Sequence, residues 1–451
     1  VRSASRDTPA PHGLSWHRAR AIAYDVAPVL DARPVPLTEA LGRPLAQDVT
    51  ARGDLPHYAS SAMDGWAVAG DGPWRICPSR HASEPREIHR PGPALHPGHA
   101  APIVTGGAVP DGATAVLRSE HGRLQPESDG AALLVDVGPA PVPPRAHIRP
   151  AGEEARAGEV LIPAGEVLTP AQLAVAAVAG DDTLTVRPYP TVTALLTGDE
   201  VVTAGIPGPG QVRDAFGPQL PAVIQLLGGR TTAVHRLADD RAAVTRALTE
   251  ATADVVVTTG GTGRSTADHV RAGLIDLGAE LFIDGIDVRP GHPAVLARLP
   301  GGPLVVALPG NPLAAMLTLL TLAAPVLAGL LGRSRPGTVL ARSTIDVPPG
   351  RTNRLVPARR ESGSDGVVPS GHTGAGMLRG LADADVVLVV PARGLIAWRE
   401  AEALPLPWRR QRLDDEVNAG SGTGDDRRVS TDGVRRAGDV PPVDRIEGPC
   451  L

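Results

Sequence analysis

The 451-residue chain contains no lysine; every one of its 44 basic side chains is arginine. A Walker-type phosphate loop, Schiff-base chemistry and a lysine general base are thereby excluded. Cysteine is nearly absent, with only Cys77 and Cys450. Two thiols cannot build a structural zinc site and need not pair, so a reducing compartment fits best. There is no excess of positive charge either. The net charge is -5 and the pI is near 6.2, so no global basic field points to nucleic acid. Long apolar runs are scarce. The first thirteen residues are polar and carry prolines, with no apolar h-region, and no secretory signal is expected. Only residues 314–331 suggest a membrane span, and they fall short of the roughly 20 residues one needs. Thr318, Thr321, Pro325 and Gly329 interrupt them. They read as a helix buried between layers. A cytoplasmic protein is expected, with neither membrane nor nucleic acid among its partners.

What the chain does have is concentrated in residues 254–312. Residues 254–258 and 304–308 are short, β-branched apolar runs that read as buried strands, too brief for helices. Each stops at a turn of special residues: Gly260-Gly261-Thr262-Gly263 after the first, Pro309-Gly310-Asn311-Pro312 after the second. A helical pattern follows each turn. In an open α/β sheet such turns lie at the carboxyl ends of the strands, where ligands bind. Glycine lets backbone N–H groups approach an anion there, and a helix N-terminus adds a favourable dipole. The two turns make a candidate anion pocket. Asn311 reads as the N-cap of a helix that Pro312 begins. The stretch Ser-Thr-Ala-Asp reads as a capping box, with Ser265 at N-cap and Asp268 at N3.

Elsewhere, residues 14–24 start helix-like and a proline-punctuated stretch follows. In YASSAMDGWAV, Asp64-Gly65 makes a tight turn before a strand. Residues 70–150 are rich in Pro and Gly, with short β-like runs about a Pro110-Asp111-Gly112 turn. Two glycine-punctuated strands after Ile148 lead to a helix with Thr169 as cap, Pro170 at its first position and Gly180 at its end. From 191 to 332 strand and helix alternate, which predicts a parallel or mostly parallel sheet with helices on both faces. Residues 336–407 return to short strands. Residues 409–451 are charged, glycine-rich and poor in apolar side chains, and read as a disordered tail.

SAMDGWAV, TGGAVPDGATAV, IRPAGEE, LLTGDE, GGTG with Asp268 beyond it, RPGHP and LPGNPLAA follow one another in the order seen in molybdopterin molybdenumtransferases. The resemblance spans residues 14–407 and extends to the E domain of gephyrin-like proteins. It implies a multidomain α/β plus β fold. An elongated discontinuous N-terminal domain (14–57 and 146–186) carries an inserted β domain (58–145). A three-layer α/β/α molybdopterin-binding domain (187–335) and a C-terminal β-barrel domain (336–408) follow. A homodimer is implied too, with the β domain closing over the α/β domain of the other subunit. The implied reaction inserts molybdate into adenylylated molybdopterin with Mg2+, releasing AMP and molybdenum cofactor; a molybdopterin adenylyltransferase is the implied partner. By motif match, Asp64, Glu200 and Asp268 would be catalytic. Thr105, Gly260, Gly261, Gly263, Arg289, His292, Pro309, Gly310 and Asn311 would bind substrate, and Asp199 with Glu200 would hold the metal. The chemistry suits these residues: phosphates need backbone N–H cradles and arginines, and Mg2+ needs hard oxygens.

The chain departs from the family pattern at Arg289 and His292 of VRPGHP, where two lysines are usual. Arginine keeps a fixed charge and can clamp phosphate bidentately, but a neutral imidazole loses one positive charge. The loop GGTG lacks the serine usual after its paired glycines and is closer to the related adenylyltransferases. Glu154, Thr114 and DAFGPQL are further replacements. Two alternatives follow: a molybdopterin adenylyltransferase, favoured by GGTG alone, and a non-catalytic molybdopterin-binding or scaffold paralogue.

Overall fold

The computed structural model describes residues 14–77, 92–126, 132–263 and 268–409. The body of the protein ends at Pro407. Of a second unit only Trp408 and Arg409 are described, so the expected tail lies outside the described residues.

Helix α1 (Trp16–Asp25) opens the body, with Ser15 as N-cap. Segments far apart in sequence then pair antiparallel: Arg33–Pro36 with Thr183–Val186, Val49–Thr50 with Val160–Ile162, and Ser60–Ser61 with Ile148–Arg149. Such short pairs are not stable alone. Their shared core is: Leu45, Val49 and Leu55 from the outgoing chain pack against Ile162, Leu168 and Val186 from the returning one. Helix α2 (Pro170–Val178) closes this region, its Thr169 and Gln172 forming a reciprocal capping box.

Between the two passes the chain builds a six-stranded sheet that includes β1 (Gly65–Val68), β2 (His99–Ile103) and β3 (Ala115–Arg118). Strand β1 lies between β2 and β3. Gly65 must open it, because a Cβ there would come within 2.0 Å of the Leu117 carbonyl oxygen.

The next sheet contains β4 (Thr191–Thr197), β5 (Arg230–Leu237), β6 (Val255–Thr259), β7 (Glu280–Asp284), β8 (Val295–Arg298) and β9 (Leu304–Leu308), in the order β5-β4-β6-β9-β8-β7. The first four are parallel and the last two join antiparallel, so the sheet is mostly parallel. Strands β6 and β9 are buried at every residue. That is why they read as unbroken apolar runs rather than alternating ones. Helices α3 (Phe216–Leu226), α4 (Arg241–Thr249) and α5 (His269–Asp276) accompany the sheet, α4 and α5 packing on one face through Val244, Leu248, Val270 and Leu274.

Helix α6 (Pro312–Leu330) is long and apolar enough to cross a membrane, yet all of its apolar window is buried inside the body. Residues Leu319–Ala323 form a π-helical turn. Such a turn disturbs the regular carbonyl ladder, and α1 supplies partners: Arg20 donates to the carbonyls of Leu320 (3.2 Å) and Pro336 (2.6 Å), and Trp16 Nε1 to Thr321 Oγ1 (3.1 Å). Burial, with Arg335 nearby, pulls the Arg20 pKa down to about 10, so it stays cationic at neutral pH.

The last region holds β10 (Val339–Arg342), β11 (Asn353–Arg360), β12 (Val367–Pro369), β13 (Val386–Val390) and β14 (Glu400–Pro405). Antiparallel pairing runs β10-β14-β13-β11-β12, and a bridge from Ser343 to Val367 returns β12 toward β10. The ring closes around Ala358, Val386, Leu388 and Ala403. Its β11 also pairs in parallel with Val288–Arg289 of the preceding region.

Candidate active site

That last pairing builds a cavity. It sets Arg289 opposite Arg354 in register. Beside them opens a space of about 580 Å3, lined by Arg289, His292, Pro309 and Asn311 on one side and by Arg354 and Thr373 from the barrel on the other. Among the described residues no acidic side chain lines it. Arg354 gives one guanidinium nitrogen to the Pro348 carbonyl, but its Nε is buried without a partner among the described residues. A buried donor left so calls for an acceptor. The Nδ1 of His292 lies 2.7 Å from the Ile286 carbonyl oxygen. A carbonyl only accepts, so Nδ1 is the protonated nitrogen of the neutral ring.

The start of α6 differs from the sequence expectation of an open anion site. Pro312 has no N–H to give. The N–H groups of Leu313 and Ala314 both donate to the Ala375 carbonyl (2.9 and 3.2 Å), and that of Ala315 to Asn311 (2.9 Å). The barrel loop thus satisfies donors that an open helix end leaves free, and an anion here must first displace the Ala375 carbonyl. Asn311 holds the N-cap position, but its side chain makes no capping bond and lines the cavity instead.

The glycine turns meet at the carboxyl ends of neighbouring strands. A Cβ on Gly310 would lie 3.5 Å from the Gly260 Cα. Gly260 itself has φ 82°, and a Cβ there would press on Thr197 Oγ1. The Asp268 carboxylate folds over Gly263, where a Cβ would approach Oδ2 to 2.6 Å. Asp268 is the N-cap of α5, not N3, and makes no capping bond; Ser265 lies outside the described residues, so the capping box is not found. At Gly261 the carbonyl accepts from the Arg271 N–H (3.1 Å).

Of the two acids after β4, Glu200 folds back over Gly198, where a Cβ would sit 3.0 Å from Oε2. Asp199 forms a reciprocal pair with Asp239: the Asp239 N–H donates to its Oδ1 (3.2 Å), and its own N–H to Asp239 Oδ2 (3.3 Å). Among the described residues no three His, Cys, Asp or Glu side chains converge on one point. In the inserted sheet region, Thr105 donates to Asp64 Oδ1 through both its N–H (2.6 Å) and its hydroxyl (2.8 Å). These bonds, the backbone one foremost, hold the Asp64 pKa below the usual carboxylate value.

Residues 14–180 match a family model described as the MoeA N-terminal region (domain I and II), and residues 193–329 one described as a probable molybdopterin binding domain. A molybdopterin molybdenumtransferase from Nostoc is 30% identical over 332 residues, which cover 70% of this chain and 74% of the relative. Molybdopterin molybdenumtransferase 2 from Mycobacterium tuberculosis is 31% identical over 375 residues, 79% of this chain and 90% of the relative.

The chain belongs to the molybdopterin molybdenumtransferase family.

A solved molybdopterin biosynthesis MoeA protein from Pyrococcus horikosii shares the architecture, with TM-score 0.71 and 27% identity over 87% of this chain and 99% of that one. Within this family member, Arg354 and Thr373 were not legible as site residues beforehand. The single cue was that, without lysine, arginine supplies every fixed positive side-chain charge of the chain. Arg351, Arg354, Arg359 and Arg360 gave no means of choosing until β11 was paired with Val288–Arg289.

Proposed function

We propose that this protein inserts molybdate into adenylylated molybdopterin, releasing AMP and molybdenum cofactor, as a cytoplasmic homodimer supplied by a molybdopterin adenylyltransferase. The observation that carries this reading is the cavity walled by Arg289, His292 and Arg354 with no acid on its lining among the described residues, next to the glycine turns after β6 and β9. An oxyanion pocket beside a phosphate cradle is what the reaction needs. Arg289 and Arg354 hold the oxyanion with fixed charge and paired donors. In this reading Gly260, Gly261, Gly263 and Gly310 border the substrate phosphates, their lack of Cβ letting the two turns pack closely, and Pro309 and Asn311 complete the wall. Asp64 keeps Oδ2 for the substrate while Thr105 fixes Oδ1.

Mg2+ suits the donor chemistry here, because Glu200 and Asp268 offer hard carboxylate oxygens at one end of the sheet. It usually takes one or two carboxylates, with substrate phosphates and water completing the shell. Among the described residues no three such side chains converge, and Asp199 gives Oδ1 to the Asp239 N–H while Oδ2 carries no such bond. When bound, the ion neutralises phosphate charge.

The test is to incubate purified protein with adenylylated molybdopterin, Mg2+ and molybdate. AMP release with cofactor formation supports the proposal. Adenylylation of free molybdopterin with ATP would make it an adenylyltransferase, and binding without turnover a scaffold.

A further inference from the structure

We propose that oxyanion binding in this cavity is coupled to the uptake of one proton by His292. The inference rests on the reading of the cavity as an oxyanion pocket and adds a property that a lysine at this position would not have.

The hydrogen bond to Ile286 fixes the ring. The carbonyl holds the proton on Nδ1, so in the neutral imidazole Nε2 carries a lone pair. A lone pair repels an anion oxygen. His292 becomes a donor with positive charge only when Nε2 takes a proton from solvent, and Nδ1 keeps its bond to Ile286 throughout. What surrounds the ring decides when that happens. On its own loop the charged neighbour in the cavity is Arg289, and from β11 it is Arg354. The α6 start contributes Asn311 and Ala314, and the barrel loop Thr373 and Ala375, none of them charged. A Cβ at Gly285 would lie 3.7 Å from Cε1 and 3.9 Å from Nε2, so the residue on that side of the ring is uncharged as well. Asp287, close in sequence, is committed to the Thr352 hydroxyl and does not line the space. A bound dianion favours the imidazolium. The proton and the anion therefore enter together, and linkage requires anion affinity to fall as pH rises.

The experiment is titration calorimetry of the full-length protein with molybdate alone, from about pH 6 to about pH 9, in buffers of different ionisation enthalpy. Wild type is expected to take up a fraction of a proton that rises toward one at the alkaline end, with affinity falling by up to about tenfold per pH unit. His292→Lys is expected to bind with no proton uptake and a flat affinity over this range, because a lysine ammonium stays charged. His292→Gln is expected to bind more weakly and equally flatly, with an unchanged melting temperature as the check on folding. Binding by wild type without proton uptake overturns this inference and leaves the oxyanion cavity standing. So does uptake that persists in His292→Lys, which would place the proton on another group. No molybdate binding by wild type at any pH overturns the cavity reading and the inference with it.

Discussion

Asp64 shows how one side chain can be both a turn residue and a reactive group. Its place before Gly65 is explained by chain geometry alone. Yet its Oδ1 is held by two donors from Thr105 and its Oδ2 is not, and that asymmetry presents one ionised oxygen outward. Asp64→Asn retains an acceptor for Thr105 and is expected to leave the melting temperature within about 2 °C of wild type. Turnover should fall roughly 100-fold, the order seen when an oriented electrostatic group is lost; turnover within a factor of a few would return Asp64 to a structural role. Asp214 is a second informative carboxylate. Burial pushes its pKa up, but the Gly217 N–H, Arg236 and the Phe216 N–H together outweigh it, and the pKa ends below its ordinary value. A depressed folded-state pKa means stability that is present above the unfolded value and lost as pH falls through the folded one. Asp214→Asn should cost about 2 kcal/mol at neutral pH, and its deficit relative to wild type should shrink below about pH 4. Urea unfolding at both pH values measures it; an equal deficit at both would show that charge is not involved.

At the scale of elements, α6 had a legible start and length but a hidden irregularity. Pro312 after Asn311 marks its first turn, and its apolar composition marks its burial. No sequence pattern announces the π turn at Leu319–Ala323, whose Leu320 carbonyl is taken by Arg20 of α1, some 300 residues away in the chain. Arg20→Ala removes the donor to two carbonyls, each costing about 1–3 kcal/mol when buried unpaired. A loss of about 2–4 kcal/mol is therefore expected in denaturant unfolding. A loss under about 0.5 kcal/mol would mean that water replaces the guanidinium at both carbonyls. The capping of α6 was equally hidden. Asn311 is the right residue type for a cap, but the Ala375 carbonyl comes from the barrel and takes the donors first.

At the scale of the whole molecule, the bonds of Asp64 stay within its own sheet region, while Asp268 caps α5 beside the mostly parallel sheet, later in the chain than the segment that carries α2. The proposed homodimer would let the two meet across subunits, giving two equivalent composite sites. Asp64→Asn chains mixed with Asp268→Ala chains, each inactive alone, should then regain activity on subunit exchange. Random exchange makes about half the dimers mixed, each with one intact site, so about a quarter of wild-type activity is expected. Zero activity after exchange has been verified by native mass measurement would rule out the shared site.

By itself the sequence determined the periodic and the punctuated. The unbroken apolar runs of β6 and β9, the alternation of strand and helix, the glycine turns after them and the turn at Asp64-Gly65 are local consequences of burial and backbone freedom. The motif order carried the family. Tertiary structure decided what depends on partners distant in the chain. It paired 33–61 with 148–186, brought Arg354 and Thr373 to the cavity that Arg289 and His292 line, gave the α6 donors to Ala375 and turned Asp199 to Asp239. Periodicity reports which face of an element is buried. It cannot report which charged or polar group arrives from elsewhere to satisfy that element's ends, and those arrivals set the chemistry of the cavity.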